Sequence, residues 1–195
     1  MPGCDGSALA FVEALDSAGI VEQRSPVRQI VVGQTVRVGG PERWIEAQPP
    51  RSAGLSITFD LDYGPETAID RQTYAIDLTP DSFRRELAPC RTFILNEVAQ
   101  GMLAEGRGQR VTPRDLLIFG PHGPIDNMLR FPNECVRHKL LDVVGDLALS
   151  GCEVIGHVVA YRCGHELHAE LAKRLLEQAE ANDSRFGTMP QLRCA

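Results

Sequence analysis

His138, Asp142 and Asp146 are spaced four residues apart. On an α-helix, side chains four apart lie one above the other on the same face. This spacing therefore stacks one imidazole and two carboxylates in a column. Zinc accepts His nitrogen and Asp oxygen at about 2 Å, so His138 and Asp142, one turn apart, can reach a single divalent ion. Asp146 is a further turn away, better placed to orient another group than to join the same metal. The same spacing also describes a solvated i,i+4 ion pair, and spacing alone leaves both readings open. Downstream, Cys163-Gly164-His165 follows a strand-like run over residues 154–161. A histidine at a strand-to-helix junction, after a permissive glycine, is where a catalytic imidazole is often presented.

The elements that position these groups can be read from periodicity. Val136, Leu140, Leu141, Val143, Val144 and Leu147 recur at helical spacing between Pro132 and Gly151, which predicts a helix of about four turns. The run 152–161 is apolar except for Glu153 and His157, as in a strand covered on both faces. His157 reads as a satisfied or edge histidine. Residues 166–179 give a second helix, with Leu167, Leu171, Leu175 and Leu176 facing inward. Upstream, Asp5-Gly6-Ser7 precedes a short amphipathic helix ending near Gly19, with Asp5 or Ser7 as its cap. A polar linker occupies 22–29. Strand signals follow at 30–32, 36–38, 44–47, 55–61 and 73–78, and read as an antiparallel meander covered on one face. In 55–61 the odd positions face the core and the even ones water. Pro80 opens a helix containing Phe83 and Leu87; residues 96–105 form another helix and 115–119 a short strand. The fold class is α+β: a mixed or antiparallel sheet packed on helices, two-layered.

The chain has 195 residues, 43% of them apolar, enough for one sizeable core. A net charge of −6 without a basic run argues against a nucleic-acid partner. No window is apolar enough for a membrane span, and the amino terminus has no secretory pattern. Cys4, Cys90, Cys135, Cys152, Cys163 and Cys194 are scattered, with no Cys-x-x-Cys pair. They read as reduced thiols of a cytoplasmic protein.

The run Arg137-His138-Lys139-Leu140-Leu141-Asp142-Val143-Val144-Gly145-Asp146-Leu147, followed by Gly164-His165, resembles the UDP-3-O-acyl-N-acetylglucosamine deacetylases, zinc amidases of lipid A biosynthesis. Arg91-Thr92-Phe93 and Asp5-Gly6-Ser7 match that family in the same order. The resemblance covers nearly the whole chain. The departure that matters most is an absence: the family's amino-terminal half, whose Glu-His motif supplies a third zinc ligand and the general base, is not in this sequence. The resemblance implies residues 1–21 as the remnant helix of the family's first domain, 22–181 as its second domain, 94–120 as a small strand-helix-strand insertion forming an acyl passage, and 182–195 as a tail. Val98, Met102, Leu103 and Leu117 could line that passage, though periodicity alone makes them ordinary core residues.

Spacing and resemblance together make His138 and Asp142 the Zn2+ ligands. The resemblance further implies His165 as the catalytic group that stabilises the intermediate or protonates the amine, with Asp146 holding its other nitrogen. It also implies Thr92, Phe93, Lys139 and Gly164 as substrate-binding residues. The family usually carries Asn where His168 stands. Two protein ligands are fewer than the three of a catalytic zinc. The expectation is therefore weak zinc binding and little activity for this polypeptide alone, with exposed apolar surface where a missing amino-terminal half would pack. The alternatives are a non-catalytic binding or scaffold module that keeps the fold, and a different metal-dependent hydrolase sharing this half.

Overall fold

A computed structural model of the chain describes residues 5–183. Its centre is the last strand in sequence, β9 (Glu153–Tyr161). On one side β9 pairs in parallel with β4 (Leu55–Leu61), which pairs antiparallel with β5 (Gln72–Asp77). β9 also pairs antiparallel with β3 (Trp44–Gln48), and β3 with β2 (Val36–Gly39). The short β1 (Gln29–Val31) runs parallel to the start of β9. The expected antiparallel meander is thus corrected: β3 and β4 are not neighbours, because β9 lies between them. The most continuously apolar strand takes the position where both its edges are paired, which a strand at the rim cannot have.

Helix α4 (Glu134–Ala148) packs over β4 and β5, and α5 (His165–Asp183) packs over β1, β2 and β3, with the two helices in mutual contact. Ile45, Ala47, Ile57, Phe59, Val158 and Ala160 from the sheet meet Leu140, Val143, Leu147, Leu171 and Leu175 in one core. Burying each of the larger of these side chains contributes about 1.5–3 kcal/mol. Strand β4 buries Ile57, Phe59 and Leu61, as its alternation requires. Ser56 is the exception on the opposite face, buried because its hydroxyl meets His157 Nδ1 of the adjacent strand at 2.7 Å. His157 is accordingly satisfied.

A second, three-stranded sheet projects from the first. In it β6 (Phe93–Leu95) and β7 (Leu117–Gly120) are parallel, joined through α3 (Asn96–Ala104), and β8 (Gly123–Pro124) closes antiparallel on β7. Before it, α2 (Pro80–Ser82) opens with a reciprocal Thr79–Ser82 cap and runs on as a π-helical turn over Phe83–Leu87. The amino-terminal helix α1 (Leu9–Ala18) buries none of its residues. Its cap differs from the expectation: Ala8 stands at the N-cap with no side-chain bond. Asp5 instead accepts from Ser7 N at 3.0 Å and from Arg130 Nη2 at 2.6 Å, so the carboxylate ties the turn before α1 to the segment leading into α4 rather than ending the helix. Leu15, Ile20, Val21, Val27 and Val31 expose large apolar side chains along the same stretch. The carboxy-terminal tail lies outside the described residues beyond position 183.

Candidate active site

Helix α4 starts where it does because its first residue is anchored. Glu134 is wholly buried, and Oε1 accepts from Arg91 N at 3.0 Å and Arg91 Nε at 2.9 Å. Its Oε2 accepts from Arg91 Nη2 at 3.1 Å and Arg130 N at 2.6 Å. Arg91 spends its remaining donors on Asn127 Oδ1 and Met128 O. Burial pushes the Glu134 carboxyl up, but the Arg91 and Arg130 hydrogen bonds and the guanidinium charge together hold it below the usual range. The pair sets the height of α4 against the segment carrying Cys90, Thr92 and Phe93.

One turn along α4, His138 is buried, and its Nδ1 lies 3.1 Å from the Cys90 carbonyl oxygen. A carbonyl only accepts, so Nδ1 carries the proton and Nε2 keeps its lone pair. Nε2 faces Asp142 Oδ1 at 3.3 Å. Burial holds the imidazole below the ordinary histidine range against the opposing pull of Asp142. A neutral ring with a backbone carbonyl behind it is the usual state of a metal-bound histidine. Two ligand atoms at tetrahedral zinc bond lengths sit about 3.3 Å apart. The donor pair therefore fits zinc in chemistry and in spacing, and leaves further coordination positions for groups from elsewhere.

The opposite wall is built by the end of β9. Arg162 (φ 49°) takes the left-handed conformation that turns the chain toward α5, its N–H reaching the Asp60 carbonyl at 3.2 Å. The permissive glycine of the motif is not the left-handed residue; Gly164 instead gives its carbonyl to the N–H groups of Leu167 and His168 in the first helical turn. His165, with 69% of its side chain exposed, stands at that turn. Its Nδ1 lies 2.7 Å from Asp146 Oδ2 and its Nε2 3.9 Å from Asp142 Oδ2. His138, Asp142, Asp146 and His165 are thus brought together across the gap between α4 and α5.

Lys139 Nζ bonds the second oxygen of Asp142 at 2.7 Å and lies 5.6 Å from the Phe93 ring centre. Phe93 meets His138 edge-on with ring centres 6.2 Å apart, and also packs against Tyr63 and Phe119. As the first residue of β6, it sets the edge of the second sheet against the polar column. Thr92 passes its carbonyl to Leu117 N at 2.8 Å. Its methyl lies so close to Gly6 (φ +73°) that a Cβ there would sit 2.5 Å from Thr92 Cγ2. Gly6 is a close-approach glycine, required by both conformation and space. Gly164 and Lys139 line a cavity of about 410 Å³ together with Arg43, Asp62, Tyr63 and Arg162. A separate apolar hollow of about 110 Å³ in the second sheet is lined by residues including Ile94, Met102, Leu103, Leu116 and Ile118. Of the residues expected along a passage, Met102 and Leu103 line it, Val98 is exposed, and Leu117 is buried in the main core instead.

Three site features have no signature in the sequence reading. They are the Arg91–Glu134 anchor, the Cys90 carbonyl behind His138, and His168, which is buried with Nδ1 2.7 Å from Asp146 Oδ2. Each pairing spans segments far apart in the chain or depends on a backbone atom. Among the described residues, Asp146, His165 and His168 also gather ligand atoms within 4.8 Å of one another. Both nitrogens meet the same oxygen at 2.7 Å, a hydrogen-bond distance well short of the edge of about 3.3 Å that a tetrahedral ion requires.

The family described as "LpxC: UDP-3-O-acyl N-acetylglycosamine deacetylase" matches residues 1–177. UDP-3-O-acyl-N-acetylglucosamine deacetylases of Brucella ovis and Brucella canis are each 37% identical over 183 residues, 93% of this chain. The chain spans 63% of the length of these curated relatives. With the family matched over nearly all of its described residues, the chain belongs to the LpxC family of UDP-3-O-acyl N-acetylglycosamine deacetylases.

Proposed function

We propose that this chain is the carboxy-terminal part of a zinc-dependent amide hydrolase that removes acetate from UDP-3-O-acyl-N-acetylglucosamine in lipid A biosynthesis. The observation that carries this reading is the convergence of His138 Nε2 and Asp142 Oδ1 at 3.3 Å, with His165 Nε2 on the same carboxylate's other oxygen at 3.9 Å. His138 and Asp142 would hold Zn2+. Lewis-acid activation of water and of an amide carbonyl is the chemistry that zinc supplies when bound between such ligands.

Other residues of the chain suit the remaining roles it can fill. Asp146 holds His165 Nδ1, so the exposed ring presents Nε2 to the gap and can hold or deliver a proton to a departing amine. Phe93 walls the site from water on one side. Three cations, Lys139, Arg43 and Arg162, line the adjoining cavity against one carboxylate, Asp62, a balance that suits an anionic nucleotide sugar, with Gly164 leaving room at its rim. Thr92 borders the reacting region, and the hollow lined by Met102 and Leu103 suits an acyl chain.

The third ligand and the general base would come from an amino-terminal half, with α1 as the join. The exposed Leu15, Ile20, Val21 and Val27 support such a packing partner. Buried free thiols at Cys90, Cys135, Cys152 and Cys163 suit a reducing cytoplasm. No helix among the described residues is long and apolar enough to cross a membrane. The test is acetate release from the acylated nucleotide sugar, with zinc, in the presence and absence of an added amino-terminal half. Turnover only with both parts is expected. Full zinc stoichiometry and turnover by this chain alone would overturn the incomplete-site reading, and no turnover with both parts would overturn the hydrolase.

A further inference from the structure

His168 is fully buried in the first turns of α5, and both its ring nitrogens are engaged. Nδ1 lies 2.7 Å from Asp146 Oδ2, the same oxygen that His165 Nδ1 reaches at 2.7 Å from the solvent side. Nε2 lies 3.3 Å from Cys163 Sγ, a thiol that is itself buried. The protons in this cluster can be counted. An ionised carboxylate only accepts, so each ring facing Oδ2 presents an N–H at Nδ1. A neutral His168 then has its lone pair at Nε2, where the thiol can donate its S–H. The bonds run in one direction, from Cys163 through His168 to Asp146, with His165 donating to the same oxygen. The other tautomer would set a lone pair against the carboxylate in a buried site, leaving both acceptors unsatisfied.

We propose that His168, backed by the Cys163 thiol, is a positioning residue that holds Asp146 from the buried side. Held there, Asp146 fixes exposed His165 as the Nδ1–H tautomer with Nε2 bare toward the His138–Asp142 pair. The purpose assigned to this device rests on the hydrolase reading above; the device itself does not. Burial keeps the His168 imidazole below the ordinary histidine range against the pull of Asp146, and pushes the Cys163 thiol up to about 12. Around neutral pH the tether therefore stays uncharged, with each proton where the geometry requires it.

The experiment is ¹⁵N NMR of the imidazole nitrogens in the full 195-residue chain, kept metal-free with a chelator, at a pH where the rings are neutral. His165 and His168 are both expected as Nδ1–H tautomers, although an unconstrained imidazole favours Nε2–H. His168→Asn keeps an N–H donor toward Asp146 and should retain the Nδ1–H form at His165. His168→Leu fills similar space without a donor and should pass His165 to a majority Nε2–H form. A merely structural role would lower the Tm of His168→Leu and leave the His165 tautomer unchanged, and that result overturns the proposal. So does an Nε2–H His168 in the unaltered chain, a reading that requires no variant to fold. Cys163→Val removes only the S–H donor and should let His168 populate both tautomers; an unchanged His168 overturns the part assigned to the thiol. None of these readouts needs turnover, so a failed deacetylase assay and a failed tether are distinguishable.

Discussion

Glu134→Gln removes one charge and almost no volume, yet it should be among the most destabilising substitutions in the chain. The carboxylate accepts four hydrogen bonds, two at each oxygen, from Arg91 and from the Arg130 backbone. A glutamine amide replaces one of those oxygens with a donor, so two of the four bonds become donor against donor. Lost charge-assisted bonds of this kind cost about 1.5–3 kcal/mol each, or roughly 3–6 kcal/mol together. Arg91 is then left with neutral acceptors only, the remaining amide oxygen at position 134, Asn127 Oδ1 and Met128 O, while its side chain is 8% exposed. Breaking a buried pair by removing one partner costs about 3–5 kcal/mol. The two routes agree. Equilibrium urea unfolding, followed by far-UV circular dichroism and by the fluorescence of the chain's one tryptophan, Trp44, measures this directly. With a slope of about 1–3 kcal/mol per molar, the midpoint should fall by roughly 2 M. The double variant Arg91→Met/Glu134→Leu should cost less than the sum of its singles, since no charge is left unpaired. A cost under about 1 kcal/mol for Glu134→Gln, or strict additivity in the double variant, would refute the claim that this pair anchors α4.

His138→Ala should abolish zinc binding by the chain, measured by calorimetry against the unaltered chain, with the fold retained by circular dichroism; unchanged affinity would remove His138 from the ligand set. Gly6→Ala should lower stability by about 1 kcal/mol or more, because the position has φ +73° and an added Cβ meets Thr92 at 2.5 Å. Thermal unfolding reads the loss, and no change would mean that Thr92 moves freely. Acid should destabilise the metal-free chain in two steps. His168 has its folded pKa below 6.5, so the unfolded state binds the extra proton, and stability present above pH 6.5 is lost as pH falls through the folded value. Glu134 has its folded pKa below 4.5, so its share is present above that pH and lost lower still. Urea midpoints across pH should show the first step shrink in His168→Asn, leaving the shares of His138 and His157, whose imidazoles burial also holds below the ordinary range; an undiminished step would assign it to groups other than His168.

Some of this was legible from the residues in order. Helix α4 followed from the 3.6-residue recurrence of Val136, Leu140, Val143 and Leu147, because a helix must bury one stripe and the stripe repeats locally. Burial of the odd positions of β4 followed from alternation for the same reason. That His138 and Asp142 share a face is likewise a property of the helix itself, as four residues make nearly a full turn.

Which strands are neighbours was not local. The hairpin-like signals suggested a meander, whereas β9, about a hundred residues later than β4, takes the middle of the sheet because both its edges can be paired there. The same long-range closure brings His165 beside Asp146, nineteen residues earlier, and buries His168 behind it. It seats Arg91 on Glu134 across forty-three positions and places the Cys90 carbonyl behind the His138 ring. Sequence determined which groups occur and which share an element, since backbone periodicity acts over a few residues. Tertiary structure decided which nitrogen carries a proton and which charge is paired, since those depend on what packing brings within about 3 Å.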